Sequence, residues 1–448
     1  MGACITNMSN KKILFAYHRL DVIGGIETRW IDEFKYLKKN NYHITLLAPS
    51  EKINTGIAKL LSIDNLIPVY VNDLDSANNF ISLVNCIIDT IRTQNIDILS
   101  VHMFNKFVFA SIIAAQVCKT PIISTVHGTP DIYKKPIERI IYQYFSDKSI
   151  GLSVTVSRHL DSILKTQAPE ACIIPNLINL EKYKAQTINE SDTWLMVSRL
   201  SPEKFPSILR FLKTASSCGI KHIHLAGGGD KNAIHKIETL IKSLNLEIEI
   251  KCLGEVEDIA SLIPQYCGVA GLGRVALEGL ASKKPVCILT PDGNLVGLVT
   301  TDNFHYLKDY NFMGKTLNPI DETEFKRQVE SHTSTDSEDI YQLLSSTLST
   351  ENWPKFIEKY DRVEFVPNAA LEAFYHKLDY FANAMSAPFF NDPLFIHLLK
   401  ETVIEYDLSN INHLLDFYNN SYGLQKKYPS PIKMKSRMSL KQRFLNIF

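Results

Sequence analysis

At 448 residues, the chain is longer than a single hydrophobic core usually supports, so we expect two domains. Its 48 lysine and arginine residues equal its 48 aspartate and glutamate residues, which excludes a global charge that would attract nucleic acid or a membrane. A hydrophobic fraction of 45% and a charged fraction of 21% are those of an ordinary globular protein. Any site for a polyanion must therefore be local.

The cysteines and the apolar runs indicate a cytosolic protein that is at most peripheral to a membrane. Eight cysteines are scattered without a CxxC pair, mostly in apolar runs, which is typical of buried thiols in a reducing compartment. No apolar run reaches the length of a membrane span, and the N-terminus lacks the blocks of a signal peptide. The initial MGACIT matches a myristoylation pattern, with Cys4 as a second lipid site, but so loose a pattern arises more often by chance.

In chain order, the first part of the sequence alternates predicted strands and helices. The run KKILFAYH precedes Gly24 and Gly25, after which IETRWIDEFKYLKK has apolar residues at helical spacing and YHITLLAP is strand-like. Strand, turn, helix and strand in this order form a βαβ unit, which implies a parallel sheet. The alternation continues to about residue 178 through IDILSVHMF, FVFASIIAAQVC, TPIISTVHG, SIGLSVTVS and ACIIPN.

A second alternating series follows a polar, aperiodic segment at 180–192, which is the predicted linker. It begins with TWLMVSRL, and its further strands are IHLAGG, IEIKCLG, GVAGL and PVCILT, with helices over 206–217, 231–244 and 274–282. The predicted fold class is therefore α/β, with two doubly wound Rossmann-like domains and a cleft facing the carboxyl ends of both sheets. SHTSTDSEDI, residues 331–340, is predicted to be an exposed loop.

From about residue 384 the sequence becomes helical and rich in aromatic residues, and it ends in a basic tail. The tail, KKYPSPIKMKSRMSLKQRFLNIF, contains no acidic residue. Its last part could form a basic amphipathic helix suited to an anionic membrane surface. The alternative is a tail that is disordered or packed on the protein surface.

Two groups of residues suit a phosphate-bearing ligand. Gly24 and Gly25 lie between a strand and a helix, where the missing Cβ exposes the backbone and the helix N-terminus adds partial positive charge. Arg199 ends a strand and Lys204 follows five residues later, so both cations can meet one diphosphate. Each group has a structural alternative when taken alone, namely an ordinary Gly-Gly turn and ordinary solvated loop charges.

Glu278 and two histidines are further candidates. Glu278 lies among apolar residues on a predicted helix, and a carboxylate there needs a partner because unpaired burial is costly. That partner is either a ribose diol or a neighbouring lysine or arginine. His102 and His127 each end a predicted strand at the cleft, whereas His222 and His224 lie away from any motif and are interpreted as structural.

The ordered segments of the chain resemble the GT-B glycosyltransferases of the GT4-like retaining group, which use nucleotide sugars. The resemblance runs from about residue 11 to about 383. Its implied domains are an acceptor-side domain at 1–180, a donor-side domain at 181–383 and a helical extension at 384–448. The matching segments are GGIET, STVHGTP, VSRHL, IIPNLINLEKY, VSRLSPEK, LAGGGD, LGEVEDI and GRVALEGLASKKPV.

The resemblance implies a role for each matching residue. Gly25, with Gly24 beside it, presents backbone N–H groups to the donor diphosphate, and Gly273 belongs to the same donor site. Arg199 and Lys204 neutralise the phosphates in place of a metal ion, so no cofactor is expected. Further implied contacts are Glu278 with the ribose hydroxyls and His127 with the donor sugar near the reacting carbon. His102, at the neighbouring strand end, is the candidate for contact with the acceptor.

The sequence also departs from the pattern of the group. Ala270 stands where an E-x7-E motif has its first glutamate, the segment DGNLVGLV lacks a later glutamate, and Phe205 replaces a common glycine. Arg274, one turn before Glu278, is predicted either to read a phosphate or other anion or to be a plain helix-surface arginine.

Other catalytic patterns are absent or unsupported. Asp73 and Asp75 form a DxD, the metal-binding signature of another glycosyltransferase class, in a polar loop with no supporting residues, so no metal site is predicted. GxGxxG, GxxxxGK[ST], HExxH and GxSxG do not occur, which counts against dehydrogenases, P-loop enzymes, zinc proteases and α/β-hydrolases.

The leading hypothesis is a transferase that moves a sugar from a nucleoside-diphosphate sugar to a glycan or lipid-linked acceptor, with retention, in the synthesis of cell-surface polysaccharide or lipopolysaccharide. The first alternative is a catalytically silent GT-B subunit that binds glycan or nucleotide, motivated by the missing carboxylates. A nucleotide-sugar epimerase shares the two-domain architecture, but the order of the segments argues against it.

Overall fold

A computed structural model of the chain describes residues 10–71, 73–128, 141–158, 172–183, 191–256, 258–314 and 317–405. The MGACIT pattern, the basic tail and residues 184–190 of the predicted linker lie outside these ranges. None of the helices in the described part of the chain combines the length and apolarity that crossing a bilayer requires. The seven described cysteines are all free thiols; Cys172 and Cys287 are buried, and Cys252 is exposed.

The first domain is built on a parallel sheet whose strands run in the order β3-β2-β1-β4-β5-β6-β7. Because helices cover both faces of such a sheet, its strands are apolar along their whole length, which is why they are visible in the sequence. The strands are β1 (Lys12–Ala16), β2 (His43–Pro49), β3 (Asn65–Val69), β4 (Ile98–His102), β5 (Ile122–Val126), β6 (Leu152–Thr155) and β7 (Cys172–Ile173), and the helices are α1 (Gly25–Lys39), α2 (Thr55–Leu60), α3 (Ala77–Gln94) and α4 (Lys106–Cys118).

The second domain has a sheet in the order β10-β9-β8-β11-β12-β13, in which only the β12–β13 pairing is antiparallel. Its strands are β8 (Thr193–Val197), β9 (His222–Ala226), β10 (Glu249–Gly254), β11 (Gly268–Ala270), β12 (Val286–Leu289) and β13 (Leu295–Leu298). Its helices are α5 (Phe205–Ser217), α6 (Lys231–Ser243), α7 (Ile259–Leu262), α8 (Arg274–Ala281), α9 (Thr301–Asp309), α10 (Glu322–Ser331) and α11 (Ser334–Leu348). The two predicted doubly wound domains are confirmed.

The segment predicted as an exposed loop at 331–340 is instead helical, because α11 begins inside it. Thr333 caps the helix by accepting a hydrogen bond from the N–H of Asp336, whose side chain accepts one from the N–H of Thr333. This reciprocal pair is a capping box, which starts a helix from polar residues.

The chain returns to the first domain before the boundary predicted at residue 383. Three further helices follow α11, namely α12 (Pro354–Asp361), α13 (Ala369–Phe381) and α14 (Pro393–Glu405). Phe374 of α13 and Phe395 of α14 lie in the same apolar core as Phe80 and Phe109 of the first domain. The aromatic residues of the extension therefore complete the first domain rather than form a separate unit.

A second apolar core is continuous across both domains. It joins Trp30 and Phe34 of α1 to Leu277 and Leu280 of α8, with Trp353 just before α12. Asp32 of α1 and Arg274 of α8 form an ion pair at this interface, so the two helices meet where the domains meet.

Candidate functional site

A cavity of about 170 Å³ lies at the carboxyl edge of the second sheet, lined by the ends of β8 and β12 and by the residues that follow β8 and β11. Arg199 and Lys204 line one side, and Gly271, Leu272 and Val275 line the other. Arg199 is exposed, and Lys204 is half-buried on a short turn at Pro202–Lys204 that leads into α5. The structure thus brings together the two cations that the sequence predicted to share a ligand.

The glycines at 227–229 allow the loop that carries Arg199 to approach the segment after β9 closely. A Cβ on Gly227, whose φ is +155°, would lie 1.8 Å from the carbonyl oxygen of Ser198. The N–H of Leu200 donates to the carbonyl of Gly228 over 2.8 Å. The LAGGGD segment therefore packs against residues 198–200 and fixes the backbone that carries Arg199.

Gly24 and Gly25 lie where the sequence predicted, between β1 and α1, with Gly24 as the N-cap and Gly25 as the first helical residue. The buried carboxylate of Glu27 stabilises this turn through two hydrogen bonds. Its Oε2 accepts from the N–H of Gly24 over 2.8 Å, and its Oε1 accepts from the Tyr17 hydroxyl over 2.9 Å. The next N–H groups of the first turn have no intrahelical acceptor, so they are available to a phosphate.

His127 and His102 form a hydrogen-bonded pair at the carboxyl ends of β5 and β4. Nδ1 of His102 lies 2.8 Å from Nε2 of His127. Only 1% of the His102 surface is exposed, whereas His127 is partly exposed. In the structure His102 therefore lies behind His127 and offers no surface to the acceptor that the sequence analysis assigned to it.

Arg274 and Glu278 lie in a buried ionic cluster at the domain interface. The Arg274 guanidinium donates from Nη2 to Asp32 Oδ2 over 3.1 Å, from Nη1 to the Leu177 carbonyl over 2.6 Å and from Nε to Glu278 Oε1 over 3.3 Å. Lys182 Nζ lies 3.3 Å from the other oxygen of Asp32. An anionic ligand would have to displace these partners to reach Arg274.

The charges of this cluster are set by burial and by mutual attraction. Burial raises the pKa of Glu278, and the neighbouring Arg274 and Lys182 oppose that rise. Burial alone would lower the pKa of Arg274, but Glu278 and Asp32 outweigh it, so the pKa is raised and the guanidinium stays charged. Ala270, the position of the missing glutamate, is fully buried in β11. Gly273 caps α8 with φ at +55°, in the left-handed region that favours glycine.

The remaining candidates have structural partners. Asp75 pairs with Lys106, and the N–H of Asp75 donates to Asp73 Oδ1. His222 lies between Asp192 and Glu249, and His224 Nδ1 lies 2.8 Å from the Tyr266 hydroxyl. Within the described residues, no group of three or more histidine, cysteine, aspartate or glutamate side chains is placed to hold a metal ion.

A second cavity, of about 300 Å³, lies at the carboxyl edge of the first sheet. Val71, Leu74 and Phe107 give it an apolar wall, and His18 and Lys52 add polar groups. The sequence analysis did not identify this cavity. Its residues come from loops after four different strands, so no local motif marks them.

Sequence analysis also missed Asp32, Lys182 and Glu27. The available signal was the concentration of charge on α1, where Glu27, Arg29, Asp32 and Glu33 are all buried. Charged residues rarely become fully buried unless they are paired. Four charged residues on a helix whose apolar residues have helical spacing therefore indicate that side chains from elsewhere in the chain pair with those charges.

Comparison with known proteins gives the fold of the chain and a family likeness for its first domain. Residues 23–182 match the model of Glycosyltransferase Family 4. No curated protein matches the chain. Among solved structures, a glycosyltransferase from Rickettsia africae ESF-5 is 19% identical, with a TM-score of 0.60, covering 79% of this chain and 98% of its own.

Two further structures are similar at lower identity. A mutant of TarM from S. aureus is 13% identical, with a TM-score of 0.57 and coverage of 79% of this chain and 99% of its own. A putative UDP-N-acetylglucosamine 2-epimerase from Listeria monocytogenes is 14% identical, with a TM-score of 0.52 and coverage of 80% and 98%. At such identities these likenesses show the fold alone. The chain therefore has the GT-B fold, and its residues 23–182 resemble Glycosyltransferase Family 4.

Proposed function

We propose that the protein transfers a sugar, with retention, from a nucleoside-diphosphate sugar to a glycan or lipid-linked acceptor in the synthesis of cell-surface polysaccharide or lipopolysaccharide. The observation that carries this proposal is the cavity shared by Arg199 and Lys204. Two cations beside a cavity of this kind suit a diphosphate, which gains negative charge as the bond to the sugar breaks. TarM, a structural neighbour, was solved with UDP, and this supports a nucleotide in the equivalent fold.

The remaining donor contacts follow from the positions of the helices. The first turn of α1, beginning at Gly25, and the N-terminus of α8, capped by Gly273, supply backbone N–H groups and partial positive charge. Glu278 is proposed to meet the ribose hydroxyls while Arg274 holds its carboxylate in place. Because fixed cations supply the charge, transfer is proposed to need no metal ion.

The acceptor is proposed to bind in the cavity of the first sheet. Apolar walls from Val71, Leu74 and Phe107 match the carbon faces of a sugar, and the His18 ring and the Lys52 ammonium suit its oxygens. The basic tail is proposed to bring the protein to a membrane face when the acceptor is lipid-linked.

The test is a panel of UDP-, GDP-, ADP- and CMP-sugars, screened by thermal shift and then by turnover with and without EDTA. A donor at 100 times its Kd stabilises the folded protein by about 2.7 kcal/mol. We expect Lys204→Ala to abolish most of the shift, while the matched control Lys213→Ala, on the exposed face of α5, leaves it intact. A shift without hydrolysis or transfer would favour the silent nucleotide-binding alternative, and no shift with any donor would refute the proposal.

A further inference from the structure

The histidine pair at the carboxyl edge of the first sheet has a fixed geometry. The two rings are nearly parallel, with an interplanar angle of 20° and centroids 5.2 Å apart. The bond between Nδ1 of His102 and Nε2 of His127 is 2.8 Å long. His127 thus has one ring nitrogen committed to the protein. Within the described residues, its Nδ1 has no hydrogen-bond partner.

Three residues behind the pair hold His102 in its orientation. Ser100 Oγ lies 3.2 Å from its Nε2, so both nitrogens of the buried ring are engaged. Phe15 stacks on the ring with centroids 5.8 Å apart, and Trp30 contacts it edge-on at 4.7 Å. A ring in contact with two aromatic side chains and bound at both nitrogens cannot rotate without breaking these contacts.

We infer that His102 is a positioning residue for His127, holding its ring so that Nδ1 meets a hydroxyl group of the donor sugar. This inference rests on the proposed function, because it takes from it the donor contact of His127.

The chemistry of the pair favours a hydroxyl over a phosphate. Burial, followed by the charge of the nearby Arg29, lowers the pKa of His102 well below the usual range of histidine. The pKa of His127 is likewise lowered well below the usual range, first by burial and then by the charges of His102 and Arg29. Both rings are therefore neutral near pH 7 and lack the charge that would attract a phosphate.

Two neutral rings share a single proton along their hydrogen bond, so their tautomers are linked. If His102 donates from Nδ1, His127 carries its own proton on Nδ1 and donates to the ligand. In the reverse arrangement, Nδ1 of His127 accepts from the ligand. Ser100 suits both arrangements because its hydroxyl can donate or accept, and a sugar hydroxyl has the same two options.

The test uses substitutions of His102 and ¹⁵N-labelled histidine in the full-length protein without donor. His102→Asn keeps a polar atom where Nδ1 lay, His102→Gln keeps one only where Nε2 lay, and His102→Phe fills the space without a nitrogen. The His127 signals are assigned by their loss in His127→Gln. The His224 signals, from a histidine bound to Tyr266 in the other domain, serve as the internal control.

We expect Gln and Phe at position 102 to shift the His127 ring ¹⁵N signals, while Asn preserves them. All three variants remove the titratable ring of His102, so the titration of His127 should move toward the ordinary histidine pKa of about 6.5 in each of them. With a donor present, kcat should fall at least about 10-fold for the Gln and Phe variants, because a residue that orients a binding group is lost. The change in KM should be smaller. Unchanged His127 signals in both the Gln and Phe variants would overturn the inference; if Phe fails to fold, the Gln and Asn variants decide it. Because the spectra need no donor, they test the pair even if the proposed function fails.

Discussion

The ion pair between Asp32 and Arg274 crosses the domain interface, and we predict that it couples the two domains energetically. The exposed fractions of the two side chains are only 2% and 9%, and their hydrogen bond is 3.1 Å long. A buried charge-assisted hydrogen bond contributes about 1.5–3 kcal/mol. Lys182 remains near Asp32 and Glu278 remains near Arg274 when either partner is neutralised, so the lower half of that range is expected.

The perturbation is a double-mutant cycle of Asp32→Asn and Arg274→Gln, measured by urea unfolding. Each single variant should destabilise the protein by about 1–3 kcal/mol, and the double variant should lose about 1–2 kcal/mol less than the sum. The matched control is the exposed pair Lys326–Glu330, whose atoms are 3.8 Å apart and whose coupling should stay below about 0.5 kcal/mol. A coupling between Asp32 and Arg274 no larger than that of the control would refute the reasoning.

The same variants separate two roles for Arg274. If it acts by joining the domains, Asp32→Asn should lower donor turnover as Arg274→Gln does, and the double variant should be no worse than either. If Arg274 reads an anion on the substrate, as the sequence analysis proposed, Arg274→Gln should weaken donor or acceptor affinity, whereas Asp32→Asn should not. KM and kcat for the three variants decide between these outcomes.

Two further predictions concern stability. A Cβ on Gly268 would lie 2.7 Å from the Trp194 ring, so Gly268→Ala should destabilise the protein by about 1–3 kcal/mol in urea unfolding. The control is Gly128→Ala, whose Cβ would meet nothing within 4 Å and should leave the stability unchanged. Equal effects of the two substitutions would contradict this account. Burial and the charges of Arg19 and Lys52 lower the pKa of His18 to about 4 in the folded protein. As the pH drops, His18 is therefore protonated in the unfolded chain before it is protonated in the folded one. The free energy of unfolding should consequently fall between about pH 6.5 and pH 4. His18→Gln should lose less stability than the wild type across that window, and parallel pH profiles of the two proteins would rule the assignment out.

The alternation of strands and helices could be predicted because parallel strands are buried on both faces. Such strands appear as short apolar runs, and β1 and β5 were recognised in this way. The start of α11 was missed because its first turn is polar, and only the capping box of Thr333 and Asp336 marks it. Composition indicated a loop there, whereas the local hydrogen bonding produces a helix.

The candidate site was predictable where one loop carries it and unpredictable where two domains meet. Arg199 and Lys204 lie five residues apart, so a strand end was enough to place them together. Asp32 and Arg274 are 242 positions apart, and their pairing depends on how the two domains are placed against each other. The same holds for His102, because strand ends predicted only its edge of the sheet, and its burial comes from Phe15 and Trp30.

The N-terminal parts of α1 and α8 are linked by the ion pair between Asp32 and Arg274. Asp32 lies two turns beyond Gly25 on α1, and Arg274 is the first residue of α8, directly after Gly273. Their ion pair therefore fixes the distance between two backbone segments that are both proposed to bind the donor. The E-x7-E departure removes a carboxylate at Ala270, inside β11, and leaves this arrangement and the Arg199–Lys204 cavity intact. We therefore expect that Arg199 and Lys204 of the second domain bind the diphosphate, and that His127 of the first domain contributes to the choice of sugar.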